Sequence, residues 1–220
     1  MSDKPKFVNP TTYASLPGQV KVDLLVWMRC FPKQSLPGLA CLGLVAALPI
    51  VFLVAAPAGA WGIAAFSSVL IAAQGHALWQ KATKIKEQFR HGCTNPAWVV
   101  SVSPYLIAVY SDLGMREGDS WPVIKIVRMP LEKVRGRRLR VGDRLPTVSL
   151  YYGFYSKPHW DDFDPIAVNC VTDDDRVVRD ALWRLERRDD EDAWGEMEKC
   201  WALVPEPMRH QPGLYWMRQR

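Results

Sequence analysis

Three periods of hydrophobic and polar residues follow one another along this chain, and each predicts a different kind of element. The first is barely periodic: residues 34–80 contain no Asp, Glu, Lys or Arg. An element of that length with one side in water would carry charge there, so the stretch reads as lipid-embedded. Two spans fit it, about 38–56 and about 60–78, each near the roughly 20 residues that cross a hydrocarbon core. "APAGA" separates them with Pro57 and Gly59. A single helix would be about twice too long for a bilayer, and a cleaved leader would start earlier and stop after one apolar run.

Just upstream, Val20, Leu24, Trp27, Met28 and Phe31 repeat at helical spacing, with Lys21 and Arg29 off that face. This predicts an amphipathic helix within residues 1–35 that lies in the membrane interface or docks on the soluble domain. Small residues recur four apart in the second span (Ala60, Ala64, Ser68, Ala72), which suits close packing within the hairpin or between two copies. Gln74 and His76 fall in its last turn, and no ionisable residue sits mid-span, which argues against a transporter or channel.

After a juxtamembrane linker at 81–95 the period falls to two. "AWVVSVS", "YLIAVYSD", "VIKIVRM", "PTVSLYYG" and "PIAVNCVT" are short, β-branched and aromatic, with turn residues between them. Five or six such strands predict a small barrel or a strongly curved sheet. The helical period then returns. Thr172 is placed to cap a helix with Asp173, Asp174 and Asp175 in its first turn and Val178, Ala181, Leu182 and Leu185 on its buried face. A second helix is expected over about 190–203, ended by Pro205 and Pro207, and "PGLYWM" reads as a short docking segment or partner surface. The fold class is thus α+β: a transmembrane hairpin, then a β-barrel-like domain at 96–220 of SH3-like or pleckstrin-like architecture with C-terminal helices. No motif ties the chain to a named family.

Charge changes the picture in one respect. Residues 1–91 hold nine Lys and Arg against three acidic residues, whereas 92–220 hold nineteen against twenty. The basic balance therefore belongs to the membrane flanks and does not mark a nucleic-acid surface. Basic residues on both sides of the hairpin place both termini in the cytoplasm of a two-pass inner-membrane protein. Five scattered cysteines without a C-x-x-C pair fit reduced thiols in that compartment.

Two segments carry candidate chemistry. "EKVRGRRLRVGDR" offers Lys133, Arg135, Arg137, Arg138 and Arg140 to an anionic surface such as lipid head groups, or is the solvated outside of a strand. "YYGFYSKPHWDDFDP" gathers His159 with Asp161, Asp162 and Asp164, the residue types of a metal-assisted hydrolase. Their spacing matches no metal-binding consensus, and aspartates before a proline also shape turns, with Trp160 and Phe163 folding back as a lid. No serine elbow, cysteine–histidine context or phosphate loop is present, and no cofactor is implied. The expected role is a membrane-anchored scaffold that meets the bilayer and a protein partner or a second copy. Trp160, Trp194, Trp201 and Trp216 are the aromatic candidates for that contact.

Overall fold

The computed structural model describes residues 17–32, 60–115, 119–134, 136, 138–154, 156–187 and 192–217. It divides into two compact units, Phe31–Ile85 and a larger one made of Met1–Cys30 with Lys86–Arg220. Among the described residues the first helices are α1 (Leu24–Cys30) and α2 (Ala60–His91).

Helix α2 runs through 60–78, where a second span is expected, and continues to His91, through most of the expected linker. Phe66, Val69 and Trp79 are all more than half exposed along it. Its 32 residues are long enough for a bilayer. Gln74, Gly75 and His76 dilute its apolar run, and among the described residues no helix is long and apolar enough to cross a membrane. The expected first span at 38–56 and the turn at Pro57 lie outside the described residues.

The larger unit is built on six antiparallel strands: β1 (Cys93–Val102), β2 (Tyr105–Asp112), β3 (Pro122–Arg128), β4 (Arg144–Tyr152), β5 (Asp162–Ala167) and β6 (Gly213–Trp216). Their order across the sheet is β5-β4-β1-β2-β3-β6. In the meander β1–β2–β3, a two-residue turn with a cis Ser103–Pro104 bond joins β1 to β2, and the longer segment 113–121 joins β2 to β3. Segment 129–143 then carries the chain to the far side of β1, where β4 pairs Ala97 with Leu145.

The sheet curls into a half-barrel, and one lysine shows why it must. Lys125 on β3 donates to Asp162 on β5 at 2.8 Å and also to the Phe163 carbonyl. In a flat sheet four strand spacings, about 19 Å, would separate them, far beyond a lysine's reach. Parity divides the strands accordingly. Val100, Leu106, Ala108, Ile124 and Ile126 face outward under the C-terminal helices, while Val99, Ile107, Val109, Val123 and Phe163 fill the concave side.

Helices α3 (Asp175–Glu186) and α4 (Ala193–Leu203) close the outer face with Leu185, Trp194, Met197 and Cys200. The cap of α3 is Asp174, which accepts from the Arg176 amide at 2.9 Å. Thr172, expected at that position, instead accepts from the Asp174 amide at 3.1 Å and holds the cap in place. Asp173 turns away to an ion pair with Arg29. Helix α4 starts later than expected because Asp192 caps it, accepting from Gly195 at 2.9 Å. A Cβ on Gly195 would lie 2.2 Å from that carboxylate, so the tight cap requires glycine.

"PGLYWM" docks on the domain as a strand: Gly213–Trp216 is β6, which extends the sheet beside β3. Its neighbour Met217 enters the outer core. Helix α1 buries Val26, Trp27 and Cys30 and leaves Leu25 exposed. Of the two settings the sequence allows, it occupies the one docked on the domain: the Asp23 amide donates to the Val171 carbonyl at 2.8 Å.

Candidate functional site

Antiparallel topology separates the two candidate segments. The segment 152–162 joins the end of β4 to the start of β5, whereas 129–143 lies where β1 and β3 end and β2 and β4 begin. They sit at opposite ends of the strands.

At the first end, three of the four side chains expected to share a metal or a proton, those of His159, Asp161 and Asp162, have other partners. His159 Nδ1–H donates to the Trp160 carbonyl at 2.8 Å, since a carbonyl can only accept. Its ring lies 4.4 Å from Trp121 and 4.9 Å from Trp216, so it is packed between indoles. Asp161 pairs with Lys157, whose hydrogen bond holds the carboxylate below its usual range. Asp162 pairs with Lys125 and accepts from the Phe163 amide at 2.8 Å. Asp164 contributes its carbonyl to Gln88 at 3.1 Å. Among the described residues no group of three or more His, Cys, Asp or Glu gathers as a metal site. The aromatics of this segment do fold back: Trp160 and Phe163 are buried, and the Trp160 amide donates to the Leu113 carbonyl at 2.8 Å.

Beneath that lid lies a polar cluster that sequence reasoning missed. Asn95, Ser111 and Tyr151 come from β1, β2 and β4 on the concave side, all buried. Asn95 Nδ2 donates to Ser111 Oγ at 3.1 Å and to the Tyr151 hydroxyl at 3.2 Å, and the two hydroxyls lie 2.6 Å apart. Burial drives the Tyr151 pKa well above its ordinary value. On the same inward register of β4, the Ser149 hydroxyl is buried without a hydrogen-bond partner. The usable signal was parity: Asn95 shares the inward register of Ala97 and Val99, where an apolar residue belongs.

At the opposite end the predicted basic run divides. Lys133 belongs to a 3-10 turn, Leu131–Lys133, and its carbonyl accepts from Arg29 Nε at 3.1 Å. Arg135 and Arg137 lie outside the described residues. Arg138 and Arg140 are exposed on an arch with Leu139 and Val141. The arch is tied to β1 by a Gly142 amide donating to the Val99 carbonyl at 2.8 Å and a Val99 amide donating to Asp143 at 3.0 Å. Gly142, at φ +88°, takes the left-handed turn that this closure needs. Val102, Arg138, Leu139, Arg140 and Val141 line an open cleft of about 510 Å³. Val141 is 62% and Val102 40% exposed, so cationic and apolar side chains share one surface. Arg144, just beyond, stacks 4.7 Å over Trp194 instead of joining them.

The four tryptophans separate as well. Trp160 and Trp194 are core residues, which removes them from any binding surface. Trp201 is half-buried under Arg209, and Trp216 is 41% exposed at the aromatic end.

Residues 80–204 match DUF3239, a family of proteins of unknown function. The chain belongs to that family. The matched region takes in five of the six strands and both C-terminal helices, leaving β6 outside it. A solved structure from Corynebacterium diphtheriae, called a "putative membrane protein", resembles the chain at 17% identity and a TM-score of 0.42. It covers 56% of this chain and 98% of its own. No curated protein matches.

Proposed function

We propose that the chain is a membrane-anchored interaction module whose DUF3239 domain meets an anionic lipid surface through the arch at 138–141. The observation that carries this reading is the pairing of Arg138 and Arg140 with exposed Val102 and Val141 around one cleft. Guanidinium groups draw lipid phosphates while the valines enter the head-group boundary, each basic residue adding about 1 kcal/mol near an anionic leaflet. Full-length protein in nanodiscs tests it by hydrogen exchange. Amides of 138–143 should exchange more slowly with anionic than with zwitterionic lipid, and the difference should vanish in about 1 M salt, where screening reaches about 3 Å. Equal exchange in both lipids would remove the arch from the reading.

The anchor in this reading is 36–80, a two-pass hairpin with both termini cytoplasmic at the inner membrane. It is supported by the uncharged run, its basic flanks, and the exposed Phe66, Val69 and Trp79 on α2. Ala58→Cys should react with a membrane-impermeant maleimide added outside intact cells. Labelling that requires permeabilisation would reverse the topology.

A further inference from the structure

We propose that Cys30 and Cys170 form a redox-sensitive modification site, a reversible disulfide that locks α1 onto the DUF3239 domain. Cys30 is the last residue of α1, and Cys170 ends the 3-10 turn Val168–Cys170 that follows β5. Both are buried free thiols, 1% and 0% exposed, on segments packed against each other. The two segments are clamped at both ends of this contact. On one side the Asp23 amide donates to the Val171 carbonyl at 2.8 Å. On the other, Arg29 grips Asp173 with two hydrogen bonds, 3.0 and 2.5 Å, and reaches the Lys133 carbonyl.

The charged groups facing the pair assign an order to the chemistry. The hydrogen bond from Cys170, helped by Arg29 and Lys133 against Asp173, holds the Cys30 thiol below its ordinary range. Cys170 is held well above it, first by the same hydrogen bond, then by burial, with Glu132 acting in the same direction. Cys30, beside Arg29 at the end of the short helix α1, takes the attacking role and Cys170 the resolving one.

The oxidant is a low-molecular-weight disulfide. The Cys30 thiolate attacks one of its sulfurs, forming a mixed disulfide and expelling one small thiolate, which takes up the proton Cys30 gave up. Cys170, on losing its own proton, displaces the second small thiolate and closes the protein disulfide. Two protein thiols are oxidised and one small disulfide is reduced to two thiols. Both sulfurs are covered in the folded domain, so the oxidant enters when α1, only seven residues long, opens locally. Closing the bond ends that opening, because it ties residues far apart in sequence.

Oxidised glutathione applied to full-length protein in detergent tests the site. Non-reducing proteolysis and mass spectrometry should give a peptide linking Cys30 to Cys170 that dithiothreitol releases. The oxidised protein should unfold roughly 5–15 °C higher than the reduced one, a shift absent from Cys30→Ala and Cys170→Ala. The wild-type peptide map decides the matter even if a variant folds poorly. Persistent free thiols, a glutathione adduct left on Cys30, or a link to another cysteine would each overturn the proposal.

Discussion

Tyr151 carries its hydroxyl into the concave side of the sheet, where water cannot replace a lost partner. Tyr151→Phe would leave Asn95 Nδ2 and Ser111 Oγ short of an acceptor or donor, at a cost of about 1–3 kcal/mol by denaturant titration. Its pH dependence has a definite sign. The unfolded phenol ionises near pH 10, while the folded one keeps its proton to higher pH. The native state therefore binds more protons there, so this residue's stabilisation is complete below pH 10 and lost as pH rises through the folded value. The wild type should lose stability above pH 10 more steeply than Tyr151→Phe; parallel curves would assign the loss to other groups. None of this was visible in the quoted "YYGFYSKPHWDDFDP", where Tyr151 is one aromatic among six. Its partners come from strands distant in sequence.

Elements were more legible than contacts. The stretch "YLIAVYSD" coincides with β2, because period-two patterning and flanking turns are local properties. Boundaries moved where a side chain chose between neighbouring amides, as Asp174 and Asp192 did. Each of these caps satisfies one amide that the helix itself leaves free. Asp174→Ala and Asp192→Ala should each cost about 1 kcal/mol, read as a fall in the urea midpoint, and should be close to additive. Replacement of Thr172 should cost less, since it supports the cap without making it. Strand β6 escaped prediction for a related reason. Four residues are too few for a period, and only the open edge of β3 makes them a strand.

At the scale of the whole molecule, the curl of the sheet depends on Lys125 crossing from β3 to β5. Lys125→Met should cost about 1–2 kcal/mol, because the Asp162 carboxylate and Phe163 carbonyl lose a common donor. Amide exchange in Asp162–Ala167 should rise, while β1 and β2 stay protected. Unchanged exchange at β5 would mean that the apolar seam alone holds the half-barrel. Antiparallel connectivity sends the two candidate segments to opposite ends of the strands, and His159 packs among indoles instead of beside a second ligand. By itself, the sequence determined the uncharged stretch, its basic flanks, five strands and two terminal helices, because hydropathy, turns and periodicity are written in consecutive residues. Only the tertiary structure decided that Cys30 meets Cys170, that Asn95, Ser111 and Tyr151 share one buried cluster, and that Arg138 and Arg140 part company with Lys133. Those pairings depend on which strands become neighbours and how far the sheet bends, and no local pattern encodes either.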